Sequence, residues 1–150
     1  MGHTYTRLLI HYAFSTKERR PLLREAVSDG VNAYFSGIAS RQKMHLLRAG
    51  GVADHRHLLV QIPPALSVAE AVGILKANSS GWMKDEFPGL APFGWQEGYA
   101  AFSVSESAVP KVIAYIDGQE AHHRKMTFEE ELVALLKRHG VTYDLARLLE

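Results

Sequence analysis

The chain contains no cysteine, carries almost no net charge and has no long uncharged apolar run in its 150 residues. The absence of cysteine excludes disulfide bonds, thiolate metal sites and a cysteine nucleophile. Any metal ion must therefore be held by imidazole, carboxylate or amide groups, which suits the harder divalent cations. The formal charge of +1 excludes a strongly polycationic protein, although residues 17–24 and 41–48 are locally rich in basic side chains.

Signals for export and for membrane insertion are also missing from the sequence. We therefore expect a cytoplasmic protein without a membrane partner, folded as a single domain over residues 1–150. The sequence has no P-loop, no G-x-G-x-x-G, no G-x-S-x-G and no H-E-x-x-H. It thus gives no support to the common nucleotide-binding, serine hydrolase and zinc protease sites, and we expect no organic cofactor.

Four strands are predicted from alternating apolar and polar residues, over residues 5–14, 45–53, 55–62 and 99–105. With the helices described next, the order of elements is β-α-β-β-α-β followed by further helices. This order is that of the ferredoxin-like, RRM-like α+β fold with an antiparallel sheet. Many unrelated functions use this fold, so it does not identify the activity.

The helices are predicted from apolar spacing and capping residues. A first helix is expected over residues 21–40, with Pro21 in its first turn. Capping boxes predict a second helix after Ser67 and a later helix from Thr127 to about residue 139. Between these two, Ser105 or Ser107 is expected to cap a helix, and residues from about 141 onward form a short terminal helix or tail.

A pair of histidines alternates in the third predicted strand. His55 and His57 are two residues apart, so both side chains project from the same face and their imidazoles can converge on one ion. Arg56 lies between them on the opposite face, where it must reach the strand's edge or find a carboxylate. In an isolated pair of this kind, one histidine is more often buried and the other exposed. The motif alone therefore does not decide whether the two histidines bind a metal ion.

A tyrosine and a glutamine lie one helical turn apart near the other end of the chain. Tyr115 and Gln119 are expected on one helix face, where the phenol is a candidate nucleophile and the amide oxygen a candidate ligand for Mg²⁺ or Mn²⁺. The alternative is a packing tyrosine with its hydroxyl at the rim. His122 and His123 follow within a turn, either as further candidate ligands or as a polar helix end.

A loop tryptophan and a run of three glutamates are the remaining candidates for a functional role. Trp95, in a loop, is a candidate for stacking against unpaired bases. Glu129, Glu130 and Glu131 fall in the first turn of a predicted helix, where their charges stabilise the helix, and we expect no catalytic role for them.

Four stretches together resemble the single-tyrosine HUH transposases of the insertion sequence 200/605 group, including the REP-associated tyrosine transposases. They are DHRHLLV at 54–60, GYAAFSVS at 98–105, YIDGQEAHH at 115–123 and FEE at 128–130. The resemblance runs through nearly the whole chain, in order. One departure is Arg56, which stands where the family has a hydrophobic residue between the histidines.

The resemblance implies roles for particular residues. Tyr115 matches the nucleophile, and His55, His57 and Gln119 match the ligands of one Mg²⁺ or Mn²⁺ ion. It further implies cleavage and rejoining of single-stranded DNA through a 5′-phosphotyrosine, recognition of hairpins at element ends, and a homodimer. Supporting contacts to the ligands or to DNA are expected from four residues: Asp54, His122, His123 and Trp95.

Two alternative functions remain open at this stage. One is a module that binds hairpin DNA but no longer cleaves it. The other is a ferredoxin-like metal-binding or regulatory protein without a nucleic acid partner, which the near-neutral charge permits.

Overall fold

The structure is a computed structural model that describes residues 2–90 and 92–150. Its centre is one four-stranded sheet in the order β2-β3-β1-β4, and all neighbouring strands are antiparallel. The strands are β1 (Leu8–Ser15), β2 (His45–Gly50), β3 (His55–Ile62) and β4 (Ala100–Val104). The predicted α+β architecture, an antiparallel sheet with interleaved and C-terminal helices, is confirmed.

Within residues 2–90 and 92–150, five α-helices surround this sheet: α1 (Glu25–Arg41), α2 (Val68–Glu86), α3 (Val109–Asp117), α4 (Gln119–His122) and α5 (Phe128–Arg138). Helices α1 and α2 cover one face, and α3 to α5 cover the other. No helix in the described ranges is both long and apolar enough to cross a membrane.

The sheet separates two kinds of interior. On one face, the even-numbered residues of β1 and β3, such as Tyr12, Phe14 and Leu58, pack with α1 and α2 in the main hydrophobic core. On the other face, Leu9, Leu59, Ala13 and neighbouring residues form two smaller apolar clusters with α3 and α5. The alternation of side chains along a strand therefore places the histidines of β3 outside the main core.

Helix α1 begins four residues later than predicted. Arg20 and Arg24 have extended backbone conformations, so Pro21 lies in a connecting segment and not in a helix. The backbone N–H of Leu23 donates to the carbonyl oxygen of Ala53 at 2.9 Å, which holds this segment across the β2–β3 connection. Leu23 still reaches the main core, which explains why apolar spacing alone extended the helix too far.

The two predicted capping boxes are present, at Ser67 and Glu70 and at Thr127 and Glu130. The predicted serine cap of α3 is wrong. The Ser105 hydroxyl lies 3.1 Å from the Ser107 hydroxyl, and a 3₁₀ turn, Glu106–Ala108, precedes the helix instead. Beyond Gly140, whose φ of 67° ends α5, the terminal segment contains a 3₁₀ turn at Leu145–Arg147.

Arg56 neither reaches the strand's edge nor pairs with a carboxylate, so that expectation was wrong. Its side chain is 1% exposed and donates hydrogen bonds to neutral oxygens, at Ser28, Asn32, Val52 and His55. Burial lowers the pKa of the Arg56 guanidinium to about 10, which leaves it charged near neutrality. Four oxygens therefore replace the carboxylate that a buried cation ordinarily requires.

Candidate metal centre and active site

Strand β3 delivers two buried imidazoles to the face opposite the main core. The side chains of His55 and His57 are both 0% exposed, and their ring centroids lie 5.1 Å apart. Residues two apart on a strand project from the same face. The two rings therefore lie side by side, as the alternation along the strand predicts.

Helices α3 and α4 bring the tyrosine and the glutamine to these histidines. Gln119 Oε1 lies 2.8 Å from His55 Nε2. The Tyr115 ring packs edge-on at 5.6 Å from the His57 ring. The two residues are on separate helical segments because α3 ends at Asp117 and α4 starts at Gln119, with Gly118 between them.

Glu131, from the first turn of α5, is at the centre of the site and is 1% exposed. Its Oε1 atom lies 3.0 Å from both His57 Nε2 and His123 Nε2 and 3.4 Å from His55 Nε2. Its Oε2 atom accepts hydrogen bonds from the Tyr115 hydroxyl and, at 2.8 Å, from Gln119 Nε2. One carboxylate therefore contacts both the imidazoles and the candidate nucleophile.

Three contacts from behind orient the imidazoles. His55 Nδ1 donates to Asp54 Oδ1 at 2.7 Å, which leaves the His55 Nε2 atom facing the site. His57 Nδ1 is hydrogen bonded to His11 Nε2 of β1 at 2.8 Å. His123 Nδ1 donates to the carbonyl oxygen of Met126 at 2.7 Å. Such contacts behind a metal-binding histidine set its ring orientation and its tautomer.

The surroundings shift several ionisation equilibria. Burial opposes the charge on Glu131, but hydrogen bonds with His55, His57 and Tyr115 outweigh it and hold its pKa well below the usual range. Burial and the bond to Glu131 raise the pKa of Tyr115, so its hydroxyl stays protonated. Burial lowers the pKa of His57, and it lowers that of His11 to about 3.

His55 behaves differently from the other buried imidazoles. Burial alone would lower its pKa, but its hydrogen bonds with Asp54, Glu131 and Gln119 outweigh burial and raise the pKa above the ordinary value. Since a metal ion binds the neutral imidazole, protons and a metal compete at this residue.

The donor atoms fit a divalent metal ion. One ligand atom from each of His55, His57, His123 and Glu131 lies within 4.8 Å of the others, and all four residues are buried except His123, which is partly buried. Gln119 Oε1 adds an amide oxygen to the same group. His122 Nε2 is buried beside them without a hydrogen-bond partner in the described part of the chain. Imidazole and oxygen donors of this kind bind Mg²⁺, Mn²⁺ and Zn²⁺ in proteins.

Seven of the predicted site residues meet here: Asp54, His55, His57, Tyr115, Gln119, His122 and His123. Trp95 does not. It is 8% exposed, packs edge-on against Phe14 and donates from Nε1 to Ser79 Oγ at 3.0 Å. The prediction that Trp95 stacks on unpaired bases is therefore wrong, because its ring is part of the main core.

The sequence interpretation missed Glu131 and His11. Glu131 was assigned with its neighbours to helix stabilisation, yet it lies on the same helix face as Phe128, Leu132 and Leu135, which are all buried. A carboxylate within an apolar stripe at helical spacing is the signal that identifies it. His11 lies between Leu9 and Ala13 on β1, and no pattern in the sequence indicates its contact with His57.

A cleft of about 700 Å³ lies beside the site. Asp54 and His123, which both contact the imidazole group, form part of its wall. Its rim carries three basic side chains, Arg19, Arg124 and Lys125. Because Asp54, Glu120 and Glu130 also line the cleft, its formal charges balance, and the three basic side chains can each contact an anion individually.

Comparisons with known proteins agree on one family. The family described as "Transposase IS200 like" matches residues 4–119. The transposases for insertion sequence element IS200 of Salmonella typhimurium and Salmonella typhi are each 29% identical over 125 residues, which is 79% of this chain and 81% of the relative.

Two solved structures are also similar. A crystal structure of a candidate transposase from Deinococcus radiodurans R1 is 28% identical, with a TM-score of 0.65 over 79% of this chain and 96% of that chain. The structure of a REP-associated tyrosine transposase bound to a REP hairpin is 12% identical and has a TM-score of 0.60 over 82% of this chain and 73% of that chain. At that identity the second similarity shows the fold alone.

Proposed function

The chain belongs to the IS200-like transposase family, and from this premise we propose that it cleaves and rejoins single-stranded DNA through a covalent phosphotyrosine. The observation that supports this most directly is the meeting of Tyr115 with His55, His57 and Gln119 in one buried site. Together they offer a nucleophile and candidate metal ligands, which a metal-assisted phosphoryl transfer to tyrosine uses.

Tyr115 is the nucleophile in this proposal. Its phenol oxygen forms a bond to the scissile phosphorus as the bond between phosphorus and the 3′ oxygen breaks. The phenol loses its proton, the departing 3′ oxygen gains one, and the 5′ phosphate stays esterified to the tyrosine. Reversal with a different 3′ hydroxyl joins new DNA ends without an external energy source, since the phosphodiester energy is kept in the ester.

His55, His57 and Gln119 would hold the metal ion. A bound Mg²⁺ or Mn²⁺ supplies Lewis-acid stabilisation of the charge that develops on the phosphate. Asp54 and His11 keep the ring planes of the two histidines fixed, so the ligand atoms require little rearrangement. The amide of Gln119 is held by Glu131 at the same time.

Hairpin recognition and dimerisation are further parts of the proposal. A transposase of the same fold is bound to a REP hairpin, and we extend hairpin-bearing single-stranded DNA to this chain as its substrate class. In the described chain Tyr115 lies beside the histidines of its own subunit. A homodimer is therefore not needed to complete this site, and we propose it on the family resemblance alone.

The experiment is a search for a covalent protein–DNA adduct. The protein is incubated with Mn²⁺ and a pool of single-stranded oligonucleotides that carry hairpins, and adducts are resolved by denaturing electrophoresis and located by mass spectrometry. We expect the adduct on Tyr115, and its loss in Tyr115→Phe with hairpin binding retained. The matched control is Tyr143→Phe, which changes an exposed tyrosine outside the site.

Three outcomes would contradict the proposal. Wild-type cleavage by Tyr115→Phe would show that another group is the nucleophile. Hairpin binding without cleavage by the wild-type protein would favour a DNA-binding module, and an absence of salt-dependent binding to oligonucleotides would remove nucleic acid altogether.

A further inference from the structure

We propose that Glu131 is a placeholder for the scissile phosphate: its carboxylate occupies the phosphate position in the DNA-free protein, and incoming DNA must displace it. The inference rests on the proposed function, because it assigns a phosphodiester to this site. It concerns a residue that neither the sequence patterns nor the family resemblance identified as functional.

The contacts of the two carboxylate oxygens are those that a reacting phosphate needs. Oε1 faces the imidazoles, at 3.0 Å from His57 Nε2 and His123 Nε2. Oε2 accepts the hydrogen bond of the Tyr115 hydroxyl. A phosphate attacked by Tyr115 must bridge the same two groups, with one oxygen toward the metal ligands and its phosphorus at the phenol oxygen. The carboxylate and the phosphate cannot occupy this position together.

The packing of the site leads to the same conclusion. The exposed fractions of His55, His57, Gln119 and Glu131 are all 1% or less. A phosphodiester therefore has no place beside these side chains while Glu131 remains. His122 Nε2, which is buried and has no hydrogen-bond partner in the described ranges, lies 3.5 Å from Glu131 Oε2. A larger anion with more oxygens would give this nitrogen its partner.

The neighbouring cleft offers a route for the exchange. Its wall includes Thr127 and Phe128, at the start of α5, and its rim carries Arg19, Arg124 and Lys125. Each of these basic side chains can contact a DNA phosphate next to the start of α5, the helix that carries Glu131. Helix α5 packs on a cluster smaller than the main core, so a shift of its first turn disturbs fewer apolar contacts than a shift of α1 or α2 would.

The placeholder role predicts opposite effects on two ligands. Glu131→Gln keeps the shape of the side chain and removes its charge. In the DNA-free protein the metal ion loses an anionic contact, so we expect Mn²⁺ affinity to fall by about tenfold. Inorganic phosphate no longer competes with a carboxylate, so we expect it to bind the Mn²⁺-loaded protein several-fold more readily. A permanent ligand and a purely structural residue do not predict this pair of effects.

Two measurements on the full chain without DNA test this. Mn²⁺ affinity is read from the electron paramagnetic resonance signal of the free ion, and phosphate access from the paramagnetic broadening of the ³¹P resonance of inorganic phosphate. The matched control is Glu129→Gln, which removes the same charge from the same helix turn without changing the imidazole contacts. Thermal unfolding establishes that each variant is folded, and Glu131→Ala, which also removes the carboxylate, replaces Glu131→Gln if that variant does not fold.

Weaker Mn²⁺ binding together with stronger phosphate broadening supports the proposal. A fall in both would make Glu131 a permanent ligand and overturn it, as would values equal to those of Glu129→Gln. Neither measurement depends on DNA cleavage. If the wild-type protein fails to cleave any hairpin substrate, the proposed function fails while the placeholder is still judged on these two readouts.

Discussion

The two faces of the sheet differ in what their side chains do, although the same strands supply both. On the α1 and α2 face, β3 contributes Leu58 and Val60 to the apolar core. Arg56 is the one charged residue that the strand places on this face. On the opposite face, the same strand contributes His55 and His57 to a network of imidazole, amide, carboxylate and phenol groups.

This difference shows how a small domain can combine stability with a strained polar site. Apolar burial on the α1 and α2 face supplies most of the stabilisation, since it scales with the area removed from water. The polar face has only two small apolar clusters around its buried charge. Burying the ionisable side chains of the site costs folding free energy. The fold tolerates this cost because the apolar core on the opposite face does not depend on those side chains.

The largest expected contrast comes from neighbouring residues on β3. His57→Asn should reduce cleavage on the order of a thousandfold, because a proposed metal ligand is lost, and should change the free energy of unfolding by only about 1 kcal/mol. Leu58→Ala should lower the free energy of unfolding by about 2–5 kcal/mol and leave cleavage per folded molecule unchanged. Urea denaturation and a hairpin cleavage assay measure the two quantities on the same preparations.

The comparison fails if the two substitutions have the same effect. Unfolding of His57→Asn would mean that the polar face carries the stability. Loss of cleavage in fully folded Leu58→Ala would mean that the site depends on packing across the sheet.

A second contrast concerns acid. In the metal-free protein burial holds the pKa of His11 at about 3, whereas in the unfolded chain an imidazole has a pKa of about 6.5. The unfolded state therefore binds the extra proton as the pH falls below about 6.5, and His11 makes the folded state less stable down to about pH 3. His11→Gln should make the acid side of the stability curve shallower, by up to about 1.4 kcal/mol per pH unit.

Urea denaturation between pH 7 and pH 4 in the presence of a chelator measures this slope. The same change at the exposed His45 of β2 is the control. An unchanged slope in His11→Gln would show that acid acts on the fold through other groups.

The smallest expected effect is that of a tyrosine on the core face. The Tyr12 hydroxyl donates to the carbonyl oxygen of Val68 at 2.8 Å. Tyr12→Phe should therefore lower the free energy of unfolding by about 1 kcal/mol and leave cleavage within about twofold. It removes the same atom as Tyr115→Phe but on the opposite face, so the two variants form a matched pair. Equal cleavage by both would contradict the division between the faces.

The sequence was sufficient for the strand faces of β3 and for the starts of α2 and α5, although it misplaced the starts of α1 and α3. Alternation along β3 separated His55 and His57 from Leu58 and Val60, and capping boxes marked the starts of α2 and α5. These features depend on neighbours within four residues, for which strand and helix geometry leave few choices. The meeting of Tyr115 with the histidines followed from the family resemblance and not from any local period.

The sequence was insufficient where distant elements decide. Trp95 is in an irregular segment and was expected to be accessible, but packing against Phe14 and Phe35 buries it. Glu131 was grouped with two other glutamates because the charge of a helix start explains all three. Only the approach of α5 to β3 shows that one of them faces the imidazoles.

One glycine connects the two faces directly. A Cβ atom at Gly51 would overlap the carbonyl oxygen of His55 and lie 3.1 Å from Arg56 Nε. A side chain there would disturb the histidine strand and the buried cation together. A substitution at Gly51 is therefore expected to act on stability and on the imidazole geometry at once, so no variant at this position can separate the contributions of the two faces.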